Sequence, residues 1–230
     1  MIALLVGSSP TLGSEDLVAR LAASHDVVIA IDGGAEVCAR GGVVPDVIVG
    51  DFDSARPETV DAARRSGADV ITFSAEKDET DLELGLRHAR AIGANSVTLT
   101  AVSGGRLDHL LGVIAALRGS ADLAPSLVEP ESTAWVLTPT GRASQRIEGR
   151  GTVLSVLPLT GFACVSVAGV RWPLEESRLS DSEARGVSNV VTEAAASVDV
   201  LEGVVLVVVP RRDVALEGYC GDADTHGDDL

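Results

Sequence analysis

Basic residues are in short supply in this chain: 18 lysines and arginines stand against 34 aspartates and glutamates, a formal net charge of −16. So acidic a surface excludes binding to nucleic acid through a basic face, and a phosphate-bearing ligand would need metal cations between itself and the carboxylates. Cysteine is scarce as well. Cys38, Cys164 and Cys220 are odd in number and far apart, which speaks against a disulfide framework or a zinc site and suits reduced thiols in a cytoplasmic protein. Long hydrophobic runs are missing: Val204-Val205-Leu206-Val207-Val208-Val209 is far too short to span a bilayer and, being rich in β-branched residues, reads as a core strand. No membrane association is expected. The chain opens on Met1-Ile2-Ala3-Leu4-Leu5-Val6, with no basic region and no small-residue cleavage site, so nothing there directs export. Neither a Walker-type loop nor a G-x-G-x-x-G motif is present, so any nucleotide is held by another device.

Hydrophobic residues make up 46% of the 230, enough for a substantial core. Five apolar runs, at 2–6, 26–31, 47–49, 69–73 and 96–102, alternate with helical patterns. Such alternation predicts an α/β N-terminal domain with a mostly parallel, doubly wound sheet. Ser14 is expected to cap the first helix and Pro57 to sit in the first turn of another. Thr80 and Glu83 have capping-box spacing, which places Asp81 in the first helical turn. Leu107, Leu110, Leu111, Ile114 and Leu117 follow a one-face pattern. The texture changes after Gly119-Ser120. Residues 121–130, with two prolines, read as a linker, and short β-like pieces follow at 134–137, 145–147, 152–157, 164–167, 188–192, 196–201 and 204–209. Their spacing predicts an all-β sandwich or barrel-like C-terminal domain. The expected division is 1–122, 123–212 and an acidic, disordered tail, 213–230.

In parallel sheets of this kind ligands bind at the carboxyl ends of the strands. Polar clusters at Gly7, Asp32, Asp51, Lys77 and Gly104 all fall there. The central stretch is Pro45-Asp46-Val47-Ile48-Val49-Gly50-Asp51-Phe52-Asp53-Ser54, a buried strand ending in two aspartates whose i, i+2 spacing turns both carboxylates to one side. Asp81, with Asp78 or Asp32, adds to the group. Singly, each is as well read as a cap or turn residue. Gathered without a counter-ion they would raise one another's pKa and cost stability, so a divalent metal is the expected occupant. An Asp-x-Asp motif also serves phosphatases with an aspartyl nucleophile, but that type carries it on the first strand, and at least two strands precede it here. Gly33-Gly34 and Gly104-Gly105 allow close backbone approach and anion binding at helix starts, though a lone glycine pair more often marks a turn. Arg106 is a fork suited to phosphate oxygens or, alternatively, a helix-capping partner of Asp108. Lys77 is either solvated or a phosphate contact.

Taken together, Asp32-Gly-Gly-Ala, the 45–54 stretch, Lys77-Asp-Glu-Thr-Asp-Leu-Glu-Leu and Gly104-Gly-Arg-Leu-Asp-His resemble, in order and spacing, the thiamine pyrophosphokinase family. Gly169-Val-Arg-Trp-Pro-Leu and Gly186-Val-Ser-Asn extend the resemblance to about residue 210. It implies a magnesium-dependent transfer of the diphosphoryl group of ATP to the hydroxyl of thiamine, giving thiamine diphosphate and AMP. It also implies a homodimer whose active sites lie between the N-terminal domain of one subunit and the β domain of the other. By motif, Asp51, Asp53 and Asp81 would gather magnesium and the phosphates, with Asp78 as a further ligand. Asp32, Gly33, Gly34, Lys77, Gly105, Arg106, Asp108 and His109 would line the nucleotide side, and Ser188 and Asn189 the thiamine side. One of Asp81, Asp78 or Asp108 would accept the hydroxyl proton. Aromatic residues are only 3% of the chain, and Trp172 is the candidate to stack on the pyrimidine, its alternative being a place in the β-domain core. Two rival expectations are a diphosphokinase of the same fold acting on another alcohol, such as a pterin, and a catalytically silent binding or scaffold module.

Overall fold

The computed structural model describes residues 1–9, 13–53, 55–74 and 76–211; Pro10, Ser54, Cys220 and the expected tail lie outside the described residues. Five apolar stretches form the parallel strands β1 (Ile2–Val6), β2 (Val27–Ile31), β3 (Val47–Gly50), β4 (Asp69–Thr72) and β5 (Ser96–Thr100), joined by α1 (Ser14–Ala22), α2 (Gly34–Arg40), α3 (Pro57–Arg65) and α4 (Asp81–Ala91). α5 (Leu107–Gly119) leads to β6 (Ser126–Val128), which lies parallel to β5. The order along this part of the sheet is β6-β5-β1-β2-β3-β4. The winding therefore reverses between β1 and β5, and it is at the carboxyl ends beside such a reversal that sheets of this kind bind ligands.

Alternation along each strand divides the core. Leu5, Ile29, Val49 and Leu99 face one way, packed with Leu84, Leu86 and Ala89 of α4 and Val113, Ala116 and Leu117 of α5. Leu4, Val28 and Ile48 face the other way, toward Val18 of α1, Val37 and Cys38 of α2 and Val60 of α3. Strands covered on both faces need unbroken apolar runs, which is how they read in the sequence.

The sheet continues past β6. β7 (Ser132–Leu137) pairs antiparallel with β6, and β14 (Val205–Pro210), β9 (Val153–Pro158) and β12 (Asn189–Val190) extend it to ten strands. A separate antiparallel sheet, β11-β10-β13-β8, comprises β8 (Ser144–Glu148), β10 (Phe162–Ala168), β11 (Leu174–Ser180) and β13 (Ala195–Glu202). Its Val165, Val167, Val198 and Val200 pack against Leu154, Val156, Val205 and Val207 of the large sheet.

Four local expectations are corrected. Residues 121–130 are not a linker: a 3-10 turn, Ala121–Leu123, runs into β6, whose short apolar core completes the parallel ladder. β11 goes unannounced because its Glu-Glu-Ser-Arg centre lies on an edge strand and carries no apolar alternation. Ser14 does not cap α1, since the N-cap is Gly13, whose φ of 82° brings the chain in from the left-handed region. Finally, α5 buries Val113, Ala116 and Leu117, whereas Leu107 and Leu111 are 70% and 58% exposed. The Thr80–Glu83 capping box and Pro57 at the start of α3 are as expected.

Candidate active site

Three carboxylates converge where β2 and β3 end. One oxygen each from Asp32, Asp51 and Asp53 lies within 4.8 Å of the others. The backbone is bent to achieve this: Asp32 has φ 44° and Phe52, between the two aspartates, φ 61°. A third left-handed residue, Ala101 at φ 54°, follows β5 at the same edge. Residues with a Cβ adopt this conformation at a cost, and such strain clusters where a site demands it. Glycine makes the approach possible: a Cβ on Gly50 would meet that of Asp32 at 3.0 Å, and one on Gly34 would overlap the carbonyl oxygen of Val6.

Lys77 links this group to α4. Its ammonium lies 2.9 Å from Asp51 Oδ2 and 3.1 Å from Asp81 Oδ1, with little of the side chain exposed, so it is a counter-ion within the cluster and not a solvated lysine. Hydrogen bonding from Lys77 holds the Asp51 carboxyl below its ordinary pKa, while the Lys77 pKa is raised chiefly by Asp51. Asp81 goes the other way: burial pushes its carboxyl up, Lys77 opposes this, and the charges of Asp51 and Asp32 add to the rise. Asp78 is exposed just before the capping box.

Orphaned polar atoms gather at the same edge. Asp32 Oδ1, Glu36 Oε2, Thr100 Oγ1 and Ser9 Oγ are buried without a hydrogen-bond partner, and Asp81 Oδ1 has its ion pair but no aligned hydrogen bond. Buried polar atoms are rarely left so. Hard carboxylate oxygens, one of them desolvated and unpartnered, suit a small divalent cation with oxygen ligands. The residues present therefore fit magnesium.

On the loop after β5, Gly104 and Gly105 take φ 137° and 72°. Arg106 follows and forks onto Asp108, Nη2 to Oδ2 at 2.6 Å and Nε to Oδ1 at 3.1 Å; this pulls the Asp108 carboxyl down to about 2. The backbone N–H of His109 also donates to Asp108 Oδ1. Both sequence alternatives for Arg106 are thus compatible: it pairs with Asp108 and remains at the exposed rim.

In the β region Trp172 is 57% exposed and so is not a core residue. Asn189 pins it through the backbone: the Trp172 N–H donates to Asn189 Oδ1 at 3.1 Å and Asn189 Nδ2 donates to the Trp172 carbonyl at 2.8 Å. The two line a cavity of about 550 Å³ with Arg171, Arg185, Gly186 and Val187. Ser188, left-handed at φ 60°, precedes Asn189, and its N–H donates to Ser155 Oγ at 3.1 Å. A second cavity, about 650 Å³, lies between α2 and α3 and is lined largely by alanines and valines. Arg56, Glu58 and Thr59 also line it but bring together no group of carboxylates, and the carboxylate edge is the better candidate on donor chemistry.

Two buried acids were not foreseen. Glu36 on α2 accepts the Arg56 N–H at 2.7 Å, tying the loop after β3 to α2. Glu129, after β6, accepts three backbone N–H groups of the loop after β5. The signal for Glu129 was an acid set between an apolar run and a proline, in a segment that reads as a linker.

Comparison with known proteins matches two stretches of the chain. A model described as "Thiamin pyrophosphokinase, catalytic domain" matches residues 18–124, and one described as "Thiamin pyrophosphokinase, vitamin B1 binding domain" matches residues 144–205. Among curated relatives, the thiamine pyrophosphokinase of Bacillus subtilis is 22% identical over 187 residues, 80% of this chain and 87% of its own length. Thiamine pyrophosphokinase 1 of Oryza sativa subsp. japonica is 28% identical over 65% of this chain and 60% of its own length. Among solved structures, that of the Bacillus subtilis thiamine pyrophosphokinase superposes with a TM-score of 0.76 at 20% identity, covering 91% of this chain and 99% of the other. A thiamin pyrophosphokinase from Candida albicans gives 0.73 at 15%, covering 91% and 88%. At these identities the superpositions speak for the fold.

Proposed function

The chain belongs to the thiamine pyrophosphokinase family, and from that premise we propose that it is a thiamine diphosphokinase, an ATP-dependent diphosphotransferase that makes thiamine diphosphate and AMP. The observation that carries this is the convergence of Asp32, Asp51 and Asp53 on one point, with Lys77 bridging Asp51 and Asp81, at the carboxyl edge of the sheet. We read residues 1–122, with β6 completing their parallel ladder, as a doubly wound α/β unit for magnesium and ATP, and the β region that follows as a β sandwich for thiamine.

Asp32, Asp51 and Asp53 would hold magnesium, with Asp81 completing the set. Bound there, it would offset phosphate charge and stabilise charge on the departing AMP. Lys77 supplies a further fixed positive charge beside the phosphates, and the loop from Gly104 to the start of α5 presents the Arg106 guanidinium to phosphate oxygens. The thiamine hydroxyl oxygen attacks the β-phosphorus of ATP, the bond from that phosphorus to the α,β-bridging oxygen breaks, and AMP leaves with the bridging oxygen. The hydroxyl proton passes to a carboxylate. Asp108 is a poor acceptor, because Arg106 and the His109 N–H already occupy its oxygens. With Asp81 taken up as a ligand and paired with Lys77, Asp78, exposed just before α4, is the acceptor left.

On the acceptor side, Trp172 offers a flat exposed face for the pyrimidine, held in place by Asn189, and Ser188 flanks it. We place the site between two subunits of a homodimer. Leu107 and Leu111 support this: they form an exposed apolar stripe on α5 immediately after Arg106, suited to cover by a partner. A cytoplasmic location agrees with the free Cys38 and Cys164, and no helix among the described residues is long and apolar enough to cross a membrane.

The test is AMP release from magnesium-ATP with thiamine, with a pterin alcohol, and with no acceptor. Release that requires thiamine is the expected result. Release only with the pterin alcohol would transfer the assignment to that acceptor, and none with either would leave a silent binding module.

A further inference from the structure

Beyond β5 the chain leaves the sheet abruptly. Ala101 enters the left-handed region, and the backbone N–H groups of Ala101, Val102 and Ser103 turn toward a common point. A concave run of N–H groups of this kind ordinarily receives an anion. Here it holds the side chain of Glu129: Ala101 N–H donates to Oε2 at 3.0 Å, and Val102 and Ser103 N–H donate to Oε1 at 2.9 Å each. Glu129 is 0% exposed. It comes from the turn between β6 and β7, where its own N–H and that of Ser132 exchange hydrogen bonds with each other's carbonyls. Because β6 runs parallel to β5, its carboxyl end delivers Glu129 to the edge where the β5 loop departs.

The segment so held leads directly into the nucleotide-side loop. Gly104 and Gly105, both at positive φ and exposed, follow Ser103 at once and carry the chain to Arg106. Two glycines impart little stiffness of their own, so the approach of the chain to Arg106, which α5 holds on its other side as N-cap, depends on what anchors the residues before them. A buried carboxylate is costly unless it is well hydrogen-bonded. Here that carboxylate is met by three donors of a single loop, so it fixes the loop geometry in a way that the apolar packing of an uncharged side chain would not.

We propose that Glu129 is a positioning residue for phosphate binding: it locks the root of the β5–α5 loop so that Arg106 meets the phosphates of ATP. This rests on the assignment of the carboxylate edge as the ATP site. It does not rest on thiamine as the acceptor. A Glu129→Gln side chain keeps the shape but turns an NH2 group toward at least one N–H donor, so one side of the clamp is lost. Glu129→Asp keeps the charge and falls one methylene short.

The experiment measures the affinity of full-length protein for magnesium-ATP by calorimetry, without thiamine, for the wild type, Glu129→Gln, Glu129→Asp, Arg106→Ala and the Glu129→Gln/Arg106→Ala pair, with thermal melts alongside. The expected result is at least a fivefold loss of ATP affinity in the folded Glu129 variants, much smaller or absent when Arg106 is already alanine. Unchanged affinity in the folded Glu129 variants would overturn the proposal. So would a loss of the same size in the Arg106→Ala background, or failure of both Glu129 variants to fold, which would make Glu129 a requirement of the fold alone. Where the wild type binds ATP but makes no thiamine diphosphate, the acceptor assignment fails and the positioning role is still decided by these affinities. Absence of ATP binding in the wild type overturns both.

Discussion

Asp51 shows how one side chain serves two partners. Its Oδ2 accepts from Lys77 and its Oδ1 from the Asp53 backbone N–H, while its carboxylate stays within the group formed with Asp32 and Asp53. Replacement by asparagine keeps the shape and removes the charge that would hold a cation. Asp51→Asn is therefore expected to lower kcat by about 100-fold or more, and thermal melts should show where the charge acts. Magnesium with ATP should raise the melting temperature of the wild type and do so far less for the variant; equal shifts would contradict a role in metal binding. At this scale the gathering of the acids was largely legible. Carboxylates at strand ends signal themselves by spacing, as Asp51 and Asp53 do, and Asp81 by its capping box. Lys77 was ambiguous because a lysine between turn residues gives no sign of which acids it will meet; contact with Asp51, 26 positions away, belongs to the folded chain. Glu129 was illegible for the same reason, its three donors lying 26 to 28 positions earlier.

Among the elements, α2 depends most tightly on one atom that is absent. Gly34 lets its first turn approach the end of β1, and an added Cβ would overlap the Val6 carbonyl, a backbone group that cannot swing aside. Gly34→Ala is expected to destabilise the protein by about 2 kcal/mol despite alanine's better helix propensity, in line with overpacking of a close contact. Chemical denaturation checks this, and a neutral or stabilising effect would mean that α2 has room to shift. Between α4 and the turn after α5, Arg90 forks onto Asp122, with both contacts at 2.8 Å. The guanidinium holds the Asp122 carboxyl below its ordinary 3.8, so the pair's contribution is complete above that pH and is lost as the pH falls through the lowered value. The pair is exposed, so solvent screening limits the coupling to about 0.5 kcal/mol. A double-mutant cycle at Arg90 and Asp122 should show that coupling near neutrality and none in strong acid. Most elements could be read from pattern because strands buried on both faces and capped helices write their periodicity plainly. β11 and β6 could not: the first is a polar edge strand, and the second is a three-residue strand that exists only because β5 and β7 flank it. The α5 face was misjudged because five leucines and isoleucines on one stripe look like a core, whether the cover comes from the same chain or from another.

For the molecule as a whole, that stripe has a consequence. If Leu107 and Leu111 are covered by a second copy, Leu107→Glu with Leu111→Glu should turn a dimer into a monomer in sedimentation and abolish turnover, while ATP binding by the carboxylate edge persists. A double variant that stays dimeric would place the interface elsewhere. Chemistry at the carboxylate edge is read most plainly from the fate of the phosphates. ATP labelled at the β-phosphate is incubated with the protein, magnesium and thiamine, and the products are separated. All transferred label should appear in thiamine diphosphate, with unlabelled AMP released in equal amount. Label remaining in ADP, or AMP formation indifferent to thiamine, would contradict this transfer.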